Sequence, residues 1–384
     1  MVTGQTTSLR ERAQADIFIP FVVTRVAMMV VALAAMAWLP SIQGTQFTHI
    51  SPSPLIDLWH RWDAGFYTKI ALYGYGWQAG LRDGDATFMP LYPLLIGLPL
   101  KLLSNPTRVE AAVIGVLLSN ACLLGSLFYF DALLTLDGAS SRRRRLARWL
   151  LLVAPTTIYF SGVYTESLFF LLSLMSIYYA RQSRWLIAGL AAFLAAATRV
   201  VGWTLIFLLA WEVWQQRKRF SLRSLARGAA VLTPLAPLPM YAGLVGLMLG
   251  APKALFEITR AVWAQGVGVP WRAFTEFFNG PIDFFGWDRS LVDLLFLLVF
   301  VLLAIAAFRS RINYGLYGLA ILVFPIWSGT LMSIPRYGAV GFPYYDVLAK
   351  WVEGHRWRTR ALLVSSALIA AYFTARFVTW HWVA

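Results

Sequence analysis

The residues best suited to chemistry in this 384-residue chain lie in LWHRWDAGFYTKIALYGYGW, residues 58–77, where His60, Arg61, Asp63 and Lys69 stand among aromatic rings. Trp59, Trp62, Phe66, Ile70, Tyr73 and Trp77 recur at helical spacing, which predicts one helix lying along a membrane interface on its aromatic stripe. Arg61, Gly65 and Thr68 fall on the far face. At about 100° per residue, Asp63 sits on the edge of the stripe, beside Tyr67 and His60. A carboxylate held against rings at an interface loses solvation and needs partners or a purpose. Asp57 is the natural N-cap, so capping does not account for Asp63. The bland alternative is an anchoring helix in which Asp63 pairs with His60 or Lys69. A functional carboxylate is the favoured reading.

Metal chemistry has little material. Cys122 is the single cysteine, which also excludes an internal disulfide, and the four histidines show no HxxxH or HExxH spacing. No metal and no cofactor is expected.

The elements that must position Asp63 are read from composition. The chain is 59% hydrophobic and 13% charged, with a mean hydropathy of +0.63. Soluble domains carry about 25% charged residues, so lipid is the solvent along the whole length. Residues 1–16 lack a signal-peptide cleavage site, and the run 17–40 reads as a retained helix. The formal charge of +15 could suggest nucleic acid. Its distribution argues otherwise: basic clusters recur at Arg10/Arg12, Arg142–Arg145 with Arg148, Arg181/Arg184, the 217–227 segment, Arg309/Arg311 and Lys350–Arg360. That is the pattern of cytoplasmic loops, and no nucleic acid is expected as a partner.

If every cluster is cytoplasmic, an even number of crossings separates neighbours. The weak run 88–104, with Pro90, Pro93 and Pro99, then becomes a juxtamembrane or re-entrant element on the outer side. The remaining spans fall at roughly 17–40, 109–136, 146–162, 164–180, 185–199, 201–216, 228–250, 291–308, 314–334, 337–350 and 361–380. The expected fold is an all-α polytopic membrane protein with about eleven transmembrane helices, the N-terminus inside. It forms a single integral-membrane catalytic domain, 1–384. Residues 41–108 form the first extracytoplasmic loop and 251–290 the second, together roofing a cavity.

The run LWHRWDAGFYTKIALYGY followed by FMPLYPLL resembles the GPI mannosyltransferase II (PIG-V) family and its bacterial relatives, of the GT-C class of polyprenyl-phosphate-sugar-dependent glycosyltransferases. The resemblance continues in APTTIYFSGVYTESLFFLLSL (154–174), ATRVVGW (197–203) and SIPRYGAVGFPYY (333–345). The matches come in the family's order. At Val200–Val201 the family's Ser-Asn pair is missing.

This resemblance implies a GT-C fold with juxtamembrane helices in the first outer loop, where an acid serves the acceptor. That role falls on Asp63. Glycosyl transfer from a phosphate-linked sugar needs a base for the acceptor hydroxyl and cations for the leaving phosphate. One carboxylate suffices for inversion, whereas double displacement would want a second. Asp83 and Asp85 are the near candidates and read as a solvated Asp-Gly turn, so inversion is expected. Arg336, in the R-Y motif, is assigned to the donor phosphate, which its fork can grip bidentately. Arg199 is the second phosphate candidate, or else it pairs with Glu166. His60, Arg61, Tyr67, Lys69, Tyr159, Tyr164, Glu166 and Tyr337 are candidate substrate contacts. Arg25 reads as structural. The lipid tail is expected along 88–104 or the run Phe342–Tyr345, and the acceptor along 269–288.

The function expected is transfer of a hexose, mannose in the first place, from a polyprenyl-phosphate sugar to an extracytoplasmic hydroxyl. The acceptor is a glycolipid, polysaccharide or protein. The setting is a multi-pass cell-membrane protein with its site outside, or luminal in the endoplasmic reticulum of a eukaryote. The alternatives are a lipid-linked saccharide flippase, which usually shows inverted repeats, and a non-catalytic membrane subunit, which would not require Asp63.

Overall fold

Apolar helices joined by short turns build the chain, and no strand occurs among the described residues. The computed structural model describes residues 3–42, 49–76, 84–216, 222–263, 269–287 and 289–383. The first half runs through α1 (Thr3–Trp38), α2 (Pro54–Asp57), α3 (Ala64–Tyr73), α4 (Leu91–Leu100), α5 (Arg108–Leu136), α6 (Ser141–Leu152), α7 (Glu166–Arg181), α8 (Trp185–Thr198) and α9 (Leu205–Gln215). The second runs through α10 (Leu222–Leu232), α11 (Pro237–Leu249), α12 (Ala254–Trp263), α13 (Trp271–Phe278), α14 (Leu291–Ala307), α15 (Ile312–Trp327), α16 (Ile334–Ala339), α17 (Phe342–Val352) and α18 (Arg356–Val378).

Local chemistry explains where these helices start and stop. A capping box of Thr107 and Glu110 opens α5, and Ser140 accepts from the Arg143 N–H to open α6. Several expected spans are broken. The run 146–162 ends as a helix at Leu152, ahead of Pro155. The run 228–250 bends by 47° around Pro234 and Pro237. The run 337–350 splits between α16 and α17 at Gly341, before Pro343. In each case a proline removes a backbone donor or crowds the preceding turn. The expected 314–334 span stops at Trp327, and Gly329 follows with φ of 91°.

Among the described residues, three helices are long and apolar enough to cross a membrane: Asp16–Trp38, Arg108–Leu136 and Arg356–Val378. The bent pair Leu225–Leu235 with Pro237–Leu249 makes a fourth if it is one span. Five shorter apolar helices accompany them. The proline-rich run 88–104 holds the ten-residue α4, only about 15 Å long at 1.5 Å per residue.

α7 packs against both α5 and α8 and separates two polar ends of the bundle. At the end marked by Arg181, acids meet the basic clusters. Asp16 pairs with Arg145 at 2.9 Å, and Asp346 takes both arms of Arg143 at 2.7 and 2.5 Å. Asp137 pairs with Arg181, with Arg311 at 2.8 Å and with the Tyr314 hydroxyl at 2.6 Å. The other end of this sixteen-residue helix begins with Glu166. There the expected site residues gather.

Candidate active site

The single helix expected over 58–77 does not form. α2 ends at Asp57, a turn follows, and α3 begins at Ala64. Trp62 takes the left-handed φ of 52°, which a helix cannot contain. Its ring is held among Trp287 of the second loop and Trp380 and Trp382 at the C-terminus, with centroids 6.0, 5.7 and 5.4 Å away. Asp63, not Asp57, therefore occupies the N-cap position of α3, yet its carboxylate makes no capping bond. It points elsewhere.

Its partner is Arg336 at the last turn of α16. Arg336 Nη1 donates to Asp63 Oδ2 at 2.8 Å, and Arg336 Nε donates to Glu166 Oε1 at 3.0 Å. Arg199 Nη1 reaches the same Glu166 Oε1 at 2.7 Å and the Thr165 hydroxyl at 3.0 Å. The result is a chain of alternating charge, Asp63–Arg336–Glu166–Arg199, assembled from four distant segments. Glu166 is fully buried, whereas the Asp63 side chain keeps 22% of its exposure. The carboxylate at the open end of the chain can meet a ligand; the one in the middle holds two guanidinium groups in place. Charge pairing of this kind is what makes such burial tolerable.

Aromatic rings enclose the cations. The Arg336 guanidinium lies 4.8 Å from the ring centroids of both Tyr159 and Tyr164, and that of Arg199 lies 5.2 Å from Tyr337. Tyr67, one turn beyond Asp63, sets its ring edge-on to Tyr92 and Tyr164. Burial, followed by the nearby Asp63 and Glu166 charges, pushes its hydroxyl well above the ordinary range, so Tyr67 stays neutral. The Tyr164 hydroxyl donates to the Arg61 carbonyl at 2.8 Å and ties the loop to the bundle.

The structure separates the remaining expected contacts from this cluster. Arg61 is not on an open face: it is fully buried, with Nη2 on Asp57 Oδ2 at 2.8 Å, Nε on the Val378 carbonyl at 3.1 Å and its guanidinium over Trp380. It locks the loop to the C-terminal helix. Burial raises the Asp57 carboxyl, but Arg61, His49 and the Ile50 N–H outweigh it and leave it below the usual range. His60 turns from Asp63 to the Thr68 hydroxyl at 2.9 Å. Burial first, then Arg108 and Arg61, lower its imidazole to about 4, so it is neutral. Lys69 pairs with Asp85 at 2.8 Å. Asp85 is buried rather than part of a solvated turn, and Asp83 lies outside the described residues.

Arg25, expected to be structural, is engaged by the bundle itself. It donates to the Leu152 carbonyl at 2.7 Å and to the Thr157 and Ser161 hydroxyls, filling the break after α6. Phe342, Tyr344 and Tyr345, expected near the lipid tail, are buried in the core, with the two hydroxyls spent on backbone carbonyls. α4, in the other run expected for the tail, exposes Leu94 and Leu98. Sequence reasoning missed Thr165 and Asp293. Thr165 carries no signal beyond its place next to Glu166. Asp293 follows Ser290 by three residues and reads from sequence as an ordinary helix start. Among the described residues no group of three His, Cys, Asp or Glu could hold a metal ion.

The family described as Mannosyltransferase (PIG-V) matches residues 17–233. Among curated proteins nothing matches. Among solved structures, the apo oligosaccharyltransferase of Archaeoglobus fulgidus is similar over 94% of this chain and 56% of its own, with 12% identity and a TM-score of 0.48. The same organism's oligosaccharyltransferase AglB, in complex with an inhibitory peptide and a dolichol-phosphate, is similar over 94% of this chain and 56% of its own, with 13% identity and a TM-score of 0.45. The chain thus spans about half the length of those proteins.

Proposed function

The chain belongs to the mannosyltransferase (PIG-V) family, and on that premise we propose that it is a polytopic membrane glycosyltransferase of the GT-C type. It moves a hexose, mannose in the first place, from a polyprenyl-phosphate sugar to an acceptor hydroxyl, with inversion at the anomeric carbon. One observation carries the reading: an accessible carboxylate, Asp63, lies 2.8 Å from a guanidinium that is itself held by a buried acid. Inverting transfer needs both kinds of group at one site, a base for the acceptor hydroxyl and a cation for the leaving phosphate.

In this reading Asp63 takes the proton of the acceptor hydroxyl as its oxygen attacks the anomeric carbon. The bond from that carbon to the phosphate oxygen breaks, and the phosphate keeps the electron pair. Its charge rises during the step, and Arg336 with Arg199 receives it. Glu166 keeps the two cations together throughout. Arg61, His60 and Lys69 support the loop and are not assigned to substrate. The donor tail lies along α4.

With the Arg181 end in the cytoplasm, Asp63 faces outside. Short and broken helices then supply the remaining crossings, about eleven in all. The acceptor is a glycolipid, polysaccharide or protein on that side, beneath the second loop. The deciding experiment incubates the purified protein with a panel of polyprenyl-phosphate hexoses and candidate acceptors. Acceptor-dependent release of polyprenyl phosphate with inverted product is expected. Transfer from none of them would end the reading.

A further inference from the structure

Asp293 stands in the first turn of α14, three residues after the N-cap Ser290. Ser290 Oγ accepts from the Asp293 N–H at 3.3 Å, which is half of a capping box. The other half would be a bond from the Ser290 N–H to the Asp293 carboxylate. It is not made. Neither Asp293 oxygen has a hydrogen-bond partner among the described residues, although the residue is only 1% exposed. Its side chain therefore serves neither cap nor ion pair.

Its surroundings are those of the candidate active site. The backbone N–H of Ile334, two residues before Arg336, faces the carboxyl without meeting hydrogen-bond geometry. Leu297, one turn further along α14, packs with Leu331 and Ile334 and fixes α14 against α16. The Tyr159 hydroxyl lies within electrostatic reach of Asp293 as well as of Arg336, Asp63 and Glu166. A buried carboxyl without a partner costs stability. Kept beside a site, it points to a ligand that supplies the missing donors.

We propose that Asp293 is the sugar-binding carboxylate of this site, accepting hydrogen bonds from hydroxyls of the donor hexose while the arginines hold its phosphate. This rests on the glycosyltransferase reading above. The other two acids are already committed: Asp63 to the acceptor proton and Glu166, through Oε1, to both arginines. A sugar ring presents hydroxyl donors that two free carboxylate oxygens can accept. Asp293 is thus a binding and specificity residue and takes no part in proton transfer.

The test compares wild type with Asp293→Asn and Asp293→Leu in two measurements. Binding of a polyprenyl-phosphate hexose and of bare polyprenyl phosphate is measured for each protein. Asp293→Asn is expected to weaken the sugar-bearing lipid about tenfold or more and to leave the bare phosphate unchanged. Thermal unfolding of Asp293→Leu, which removes the unpartnered carboxyl, should shift upward by a few degrees. Equal effects on the two lipids, or no effect on either, would overturn the assignment. A lowered Tm in Asp293→Leu would also overturn it, because the carboxyl would then be structural. A wild-type protein that binds neither lipid overturns the glycosyltransferase reading, and the sugar assignment with it.

Discussion

Arg336 Nη1 donates to Asp63 Oδ2 across 2.8 Å, joining residues 273 positions apart. The same guanidinium donates through Nε to Glu166, so Asp63 is oriented by a cation that cannot easily leave. This geometry makes the two residues separable by experiment, because each has a substitution that removes one property and keeps the rest.

Asp63→Asn keeps the volume and an acceptor for Arg336 but cannot take a proton. Turnover should fall by about 10²–10⁴-fold, the range for loss of a general base, with folding and donor binding retained. Initial rates alongside a lipid-binding assay check this. Near wild-type transfer would leave Asp63 an anchoring residue only.

Arg336→Lys retains a charge but not the fork that reaches Asp63 and Glu166 together. Transfer should remain impaired, and Arg336→Ala should cost roughly 2–4 kcal/mol of transition-state stabilisation. Comparing kcat/KM across the two variants, in protein shown to be folded, tests the assignment. Wild-type activity in Arg336→Ala removes it.

Arg61→Glu would look harmless on a helix with its far face open. The structure reverses that expectation. The substitution buries a second negative charge beside Asp57 and abandons the Val378 carbonyl, so a loss of about 3–5 kcal/mol is expected. Thermal unfolding in detergent measures it, and a Tm like that of wild type would refute the role given to Arg61.

His60 supplies a pH dependence. Its folded value near 4 lies below the ordinary 6.5, so the unfolded chain binds the proton more readily. Its stabilising contribution is complete above about 6.5 and is lost as pH falls towards 4, by about 1.4 kcal/mol per unit. Between pH 7 and 5, Tm should drop more steeply in wild type than in His60→Gln. Parallel curves would contradict the burial argument.

The two polar ends predict topology. Single cysteines at Arg142–Arg145 should resist an impermeant thiol reagent added outside, while positions in the exposed turn 101–105 should react. Labelling of 142–145 in sealed vesicles would invert the orientation.

Composition alone settled the all-helical membrane class, because a charge deficit spread over every segment leaves no room for a soluble core. The local motifs also pointed to Asp63, Glu166, Arg199 and Arg336, since each stands in a short run whose residue types are visible without neighbours. The pairing of Arg199 with Glu166 stood open in the sequence, and the structure makes it. Tertiary structure alone decided that Arg336 reaches both Asp63 and Glu166, for no spacing relates residues so far apart. It also decided the fate of Arg61 and His60. Counting 100° per residue assumes an unbroken helix, and the left-handed Trp62, held by tryptophans from the second loop and the C-terminus, breaks the count just before Asp63. Side-chain direction past that turn depends on rings that arrive from more than 200 positions away.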